Sequence, residues 1–293
     1  MRDDQPSTTA EIVCFFRAAD RRRPPHHRVI DDPYAEYFLS PPFRSALTTT
    51  KVLSPFVDRL EQLELGLATY ALTRHRAIDD ALVSSLGSVE QIVLLGAGYD
   101  SRAYRLPVGA RPVFELDHPA TSRRKAGIAR ERAAQLPSAD IRRVTVNFAR
   151  ESLEEKLLAS GFDRTRPSFF VWEGVSMYLT RQAIASTLAT VRALSTSGSF
   201  LAMDYWFLLD APDATSTLHR ISAGFVHLVG EPITFALHPE DAGSFMERSG
   251  FEITQLTLAK ELEEKYVRDG RKVYPATYVV VARPSPKRAH GEA

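Results

Sequence analysis

The 293-residue chain contains a single cysteine, Cys14, which excludes an intrachain disulfide and any cysteine-based metal cluster. It has almost no net charge, +1 from 37 basic and 36 acidic residues. No global field therefore draws it to nucleic acid or to an anionic membrane. No apolar run approaches the roughly 20 residues a membrane-spanning helix needs. The start, Met1-Arg2-Asp3-Asp4-Gln5-Pro6, lacks the apolar core of a secretion signal. Repeats and low-complexity segments are also missing. The expectation is a cytoplasmic α/β protein with neither a nucleic-acid nor a membrane partner, built as one large domain with insertions or two small ones. The one basic knot, Arg21-Arg22-Arg23-Pro24-Pro25-His26-His27-Arg28, is short and broken by prolines, and reads as a solvated loop.

What is present is alternation. Ile12, Val13, Phe15 and Phe16 have the spacing of a helix face that packs on a core. Residues 31–39 read as a capped helix start with Pro33 in its first turn. Leu60, Leu63, Leu67, Ala71 and Leu72, continued by Ala77, Ile78 and Leu82, recur every three or four residues and predict a helix over 57–86. Apolar strand-like runs at 92–95, 113–117, 144–148, 168–173 and 200–205 then alternate with helical patterns at 120–135, 153–160 and 181–194. That alternation predicts a mostly parallel sheet with helices on both faces. Residues 210–237 break the rhythm with Pro212, Gly224, Gly230 and Pro232, and read as a lid over a cleft. A helix from His238 and an antiparallel strand pair at 251–258 and 278–282 follow. The expected organisation is an N-terminal helical extension (1–88), an α/β core (89–209), a lid (210–237), completion of the core (238–283) and a polar tail (284–293).

The chemistry concentrates where predicted strands end. Gly96-Ala97-Gly98 follows the first strand, and two glycines let the backbone pass close to a ligand. A dinucleotide turn would want a third glycine where Ser101 stands, and Asp100 sits where a pyrophosphate would need bare N–H groups. Asp100 suits a positively charged ligand, or simply caps a helix. Asp117 ends the second strand, about 20 residues after the glycines, where a ribose-binding carboxylate belongs, or it caps the next helix. Asn147 and Phe148, at the third strand end, offer an amide and a ring to an adenine. Glu173 ends the fourth strand as a carboxylate after buried apolar residues, which is costly unless it is paired, solvated or facing a ligand cation, and its place at the carboxyl edge favours the ligand. Arg74, on the helix before the core, either clamps a carboxylate with two parallel bonds or joins Arg76 in pairing with Asp79 and Asp80. A ligand with a nucleoside, an amine, a carboxylate and no phosphate is implied, and S-adenosyl-L-methionine has all of these.

Five segments carry a family resemblance: Asp32-Pro33-Tyr34-Ala35, Thr73-Arg74-His75-Arg76-Ala77-Ile78-Asp79-Asp80, Leu95-Gly96-Ala97-Gly98-Tyr99-Asp100-Ser101-Arg102-Ala103-Tyr104-Arg105-Leu106, Phe114-Glu115-Leu116-Asp117-His118-Pro119 and Glu173-Gly174-Val175-Ser176-Met177-Tyr178-Leu179. From about residue 30 to the last strand the chain resembles the leucine carboxyl methyltransferase family, in its bacterial S-adenosylmethionine-dependent branch. The resemblance implies a class I methyltransferase (Rossmann-like) fold. It also implies that Arg74 holds the methionine carboxylate, that Gly96 and Gly98 form the turn under the methionine moiety, and that Asp117 is the ribose carboxylate, with Tyr99 and His118 as further cofactor-binding residues. Asn147 and Phe148 fall near adenine, with an amide where the family has an acid, and Glu173 near the ligand amine.

Methyl transfer needs alignment of acceptor and donor more than proton chemistry. A carboxylate acceptor is already ionised, whereas a phenol would need a base such as His75, His118, His219, His227 or His238. No motif demands that base. The expected activity is O-methylation of a small-molecule carboxylic acid, a natural-product acceptor, with Tyr178 positioning it. Phe207, Leu208, Leu209, Phe225, Val226 and Phe235 either line its pocket or belong to the core. Phenol methylation, methylation of a protein C-terminus and non-catalytic cofactor binding are the alternatives.

Overall fold

The computed structural model describes residues 5–48, 66–147, 151–207 and 234–286. Among them the order is α1 (Thr8–Arg21), α2 (Leu67–Ser85), β1 (Gln91–Leu95), α3 (Arg102–Arg105), β2 (Val113–Asp117), α4 (Pro119–Glu131), β3 (Ile141–Thr145), α5 (Leu153–Ala159), β4 (Ser168–Trp172), α6 (Arg181–Leu194), β5 (Phe200–Trp206), α7 (Pro239–Arg248), β6 (Phe251–Leu258), α8 (Ala259–Tyr266) and β7 (Thr277–Pro284). The strands form one seven-stranded sheet in the order β3-β2-β1-β4-β5-β7-β6. The first five run parallel, while β7 is antiparallel to both β5 and β6. From β1 the chain winds outward through β2 and β3, then returns to β4 on the other side. That reversal opens a crevice at the carboxyl ends of β1 and β4.

Side chains alternate across a strand, so a sheet covered on both faces needs apolar residues at every position. Val93, Leu95, Phe170 and Trp172 face a core completed by Leu157, Ile184, Leu188, Val191 and Met246 of α5, α6 and α7. Ile92, Leu94, Phe169 and Val171 face the opposite core, with Ile78 and Leu82 of α2 and Leu262 of α8. The expected α/β architecture and antiparallel closing pair are both present.

Several expectations change. Strand β3 covers Ile141–Thr145 and not 144–148, because it is an edge strand whose Arg142 and Arg143 interrupt the apolar signal. Residues 31–39 give one 3-10 turn, Ala35–Phe38, in place of a helix. There Asp32 Oδ1 accepts from the N–H groups of Tyr34 and Ala35, both at 3.0 Å. Helix α8 had no counterpart in the sequence reading. On α1 the buried residues are Glu11, Cys14, Arg17, Ala18 and Asp20, and not Ile12, Val13, Phe15 and Phe16, which are only partly buried. Residues 57–65 and 210–233, with most of the expected lid, lie outside the described residues. Of the lid only 234–237 are seen, and Phe235 and Leu237 belong to the core. The N–H groups of Thr234 and Phe235 donate to Met177 O at 2.8 and 3.2 Å, and that of Leu237 to Trp206 O at 2.8 Å. Among the described residues no helix is long and apolar enough to cross a membrane.

Candidate active site

The crevice floor is the turn after β1. Gly96 and Gly98 both have positive φ, 73° and 45°. A Cβ on Gly96 would stand 2.6 Å from Val175, and one on Gly98 would stand 3.0 Å from Ala10 of α1. Both positions therefore require glycine. The Gly98 N–H donates to Asp117 Oδ2 at 2.5 Å, and the His118 N–H to Asp117 Oδ1 at 2.6 Å. Burial raises the Asp117 carboxyl above its ordinary range, and the two N–H bonds offset this only in part. Each oxygen keeps an acceptor site, so a vicinal diol could still bind there.

Beside the turn lies a buried charged cluster drawn from four places in the chain. Glu173 follows β4 and accepts from Arg74 Nε at 3.0 Å, from Arg102 Nη2 at 2.7 Å and from His75 Nδ1 at 3.0 Å. Arg74 Nη1 donates to Asp204 Oδ2 of β5 at 3.0 Å, which also accepts from Tyr70 Oη at 2.9 Å. Asp204 Oδ1 accepts from the Gly174 N–H at 2.6 Å. Arg102 Nε donates to Asp79 Oδ1 at 2.7 Å, and Arg102 Nη1 pairs with Asp100. Arg105 Nη1 takes the other Asp79 oxygen at 2.6 Å. Three guanidiniums thus meet four carboxylates.

The pairings set the protonation states. Burial alone would raise the Glu173 carboxyl, but His75, Arg102 and Arg74 hold it well below its usual range. Asp100 is likewise lowered against burial, chiefly by Arg102. His75 is lowered by burial and by the charge of Arg102, which outweigh Glu173, so its ring is neutral at pH 7. His75, Asp100 and Glu173 place ligand atoms within 4.8 Å of one another. The arginines and the imidazole already occupy those atoms, so the trio is an ion-pair network and not a metal centre.

Helix α1 closes the other side of the turn. Arg17 donates to Asp32 Oδ2 at 2.9 Å and to Tyr99 O at 2.6 Å, and Ser101 Oγ donates to the same Asp32 oxygen at 2.6 Å. Glu11 is held by Arg124 through two bonds of 2.9 Å. Asp20 accepts from the N–H groups of Val29 and Ile30 at 2.8 and 2.9 Å and from Arg271 Nη1 at 3.0 Å.

The residues singled out from sequence fall into three groups. Arg74, Gly96, Gly98, Asp117 and Glu173 come together at the crevice. Arg74 does not pair with Asp79 or Asp80; Arg76 does, with Asp80 at 2.8 Å. Two of its nitrogens are already spent on Glu173 and Asp204, so the two-bond clamp expected of it has only Nη2 to offer. Glu173 faces the arginines and His75 where a ligand cation was expected. The Tyr99 ring points away from the turn, stacked on Phe38 at 6.4 Å with Arg124 over it at 5.1 Å. His118 is the N-cap of α4. Asn147 lies two residues past the end of β3, its N–H on Glu151 Oε2 at 2.8 Å. Tyr178 ends a 3-10 turn and is partly buried. His238 caps α7. Phe148, His219, His227, Leu208, Leu209, Phe225 and Val226 lie outside the described residues.

Sequence reasoning missed Asp204, Arg102 and Tyr70. Asp204 left a trace as the one acid in the apolar run Phe200-Leu201-Ala202-Met203-Asp204-Tyr205. Arg102 stood inside the segment that follows the glycine turn, with no role attached to it.

Residues 10–192 match the family model described as leucine carboxyl methyltransferase. The chain belongs to the leucine carboxyl methyltransferase family. A relative in this family from Mycolicibacterium gilvum, named "Putative S-adenosyl-L-methionine-dependent methyltransferase", is 36% identical over 203 residues, 67% of this chain. The match spans 65% of that relative's length. A Streptomyces coelicolor protein of the same description is 30% identical over 274 residues, covering 91% of this chain and 90% of its own. Among solved structures, a DUF574 family protein from Streptomyces avermitilis superposes with a TM-score of 0.58 at 15% identity, covering 96% of this chain and 98% of that one. A structure from Thermobifida fusca described as a "putative methyltransferase" gives 0.56 at 16% identity, with 96% of each chain covered. The likeness to these two lies in the fold, which is the class I methyltransferase fold that the resemblance implies.

Proposed function

We propose that this leucine carboxyl methyltransferase family member is an S-adenosyl-L-methionine-dependent O-methyltransferase that converts a small-molecule carboxylic acid to its methyl ester. The observation that carries this reading is the glycine turn whose Gly98 N–H is bound to the strand-end carboxylate of Asp117, at the crevice where the sheet order reverses. That arrangement suits a ribose diol on Asp117 and a methionine chain over Gly96. Arg74 Nη2 is left for the methionine carboxylate. The cluster's one unbalanced negative charge suits a ligand bearing an ammonium and a sulfonium. The names of the relatives agree with this cofactor.

When bound, the cofactor supplies a methyl group on an already charged leaving group. The protein has to hold the acceptor in line and exclude water. A carboxylate fits this better than a phenol, because it needs no base and His75 has both ring nitrogens engaged. Tyr178 and the residues flanking β5 are the acceptor-side candidates.

Calorimetric titration with S-adenosyl-L-methionine and with NAD tests the pocket, and a screen of acids and phenols for methyl transfer tests the acceptor. Binding of NAD alone would sink the cofactor reading, and turnover of phenols without acids would sink the carboxylate reading. Asp117→Ala should weaken S-adenosyl-L-methionine binding more than about tenfold, since it removes a charged hydrogen-bond acceptor. An unchanged dissociation constant would leave Asp117 as a brace for the turn.

A further inference from the structure

His75 is buried on α2 beside Arg74, and its tautomer is fixed by its two neighbours. A guanidinium only donates, and Arg105 Nη2 lies 3.0 Å from His75 Nε2. The proton of the neutral ring therefore sits on Nδ1. That atom lies 3.1 and 3.0 Å from the two oxygens of Glu173. Glu173 passes the constraint on, since its Oε1 holds Arg74 Nε at 3.0 Å. Arg74 Nη1 is held by Asp204, and Arg74 Nη2 lies 3.0 Å from where a Cβ on Gly174 would stand.

We propose that His75 is a positioning residue, whose Nδ1–H fixes the Glu173 carboxylate so that Glu173 holds the Arg74 guanidinium with Nη2 presented to the carboxylate of the methyl donor. The inference rests on reading the pocket as an S-adenosyl-L-methionine site. Arg102 grips Glu173 from one side only, through Oε2. With the imidazole donor removed, Glu173 turns about its last side-chain bond and Arg74 follows it. The ring itself touches no reacting atom.

Two substitutions separate the two ring nitrogens. In His75→Asn the amide nitrogen takes the place of Nδ1 and still donates to Glu173, with nothing at Nε2. In His75→Gln the amide oxygen takes the place of Nε2 and still accepts from Arg105, with no donor to Glu173. Calorimetric titration with S-adenosyl-L-methionine should find the Asn variant within about twofold of wild type and the Gln variant about tenfold weaker or worse, as for a lost hydrogen bond to a charged group. Thermal midpoints are measured alongside. A purely structural His75 would give affinities that follow the midpoints, whichever variant is the less stable. Wild-type binding with equal affinities for the two variants overturns the inference alone. A wild-type protein that binds no S-adenosyl-L-methionine removes the reading beneath it as well. If neither variant folds, 15N NMR of the wild-type imidazole decides: a ring protonated at Nδ1 supports the proposal, and one protonated at Nε2 overturns it.

Discussion

Helices α1 and α6 have the same length, 14 residues, and the same kind of start. Ser7 caps α1 by accepting from the Ala10 N–H at 3.1 Å, and Thr180 caps α6 by accepting from the Ala183 N–H at 3.2 Å. Their buried faces are opposites. Helix α6 buries Ile184, Leu188, Val191 and Leu194 against the sheet. Helix α1 buries Glu11, Arg17 and Asp20 with Cys14 and Ala18, and lies over Gly98. An apolar face gives stability, about 1.5–3 kcal/mol for each large side chain, but little directional control. A buried ion pair gives little net stability, because desolvation offsets attraction, but it admits only one register. The helix that builds the core is therefore greasy, and the helix that must sit at a fixed height over the proposed cofactor pocket is charged.

The difference can be broken or sharpened by experiment. The largest effect belongs to Arg17→Leu, which strands Asp32 in the interior and should cost about 3–5 kcal/mol in urea unfolding. The double variant Arg17→Leu, Asp32→Leu should recover much of that loss; if it is no better than the single variant, α1 is not held in the way described. Next comes Leu188→Ala on α6, expected to cost about 2–4 kcal/mol through the cavity it leaves. S-adenosyl-L-methionine affinity should not change, and a large change would mean that α6 reaches the site. Acid should then separate the helices. Asp32 and Glu11 are held below their unfolded values, against burial, by Arg17 and Arg124 respectively. Their contribution is present above the unfolded carboxyl range and is lost as pH falls through about 4.5 and below. Asp20, raised by its burial, acts with the opposite sign. The ratio of α1 to α6 amide protection should fall between about pH 5 and pH 3, whereas a constant ratio would show that the ion pairs do not hold α1. The smallest effects are those of Ser7→Ala and Thr180→Ala, about 1 kcal/mol each and equal within error.

The same contrast explains what could be read from the sequence. Helix α6 and strands β2 and β6 lie where the pattern puts them, because apolar periodicity is local and each residue announces its own burial. The face of α1 was misread, because the partners of Arg17 and Asp20 are Asp32, Tyr99 and Arg271, which no local pattern reveals. The site divides in the same way. Gly96, Gly98 and Asp117 were legible as a motif with strand-end spacing. Arg102 and Asp204 were not, since each gains its meaning from three or four groups brought in from other elements. Glu173 was found for the right reason, a costly buried carboxylate, and among the described residues its counter-charges are Arg74 and Arg102, from two other elements.

The partner of Asp20, Arg271, is 251 positions further along the chain. Strand β7, just after it, lies between β5 and β6 in the sheet. During synthesis α1 emerges long before either exists, and its buried acid has Arg23, at 3.5 Å, as its local counter-charge until Arg271 arrives. The sheet cannot close until its final strand slides between two earlier ones. The helix over the glycine turn is thus fastened only after Arg271 and β7 have been made, so a chain that stops before them should hold α1 loosely.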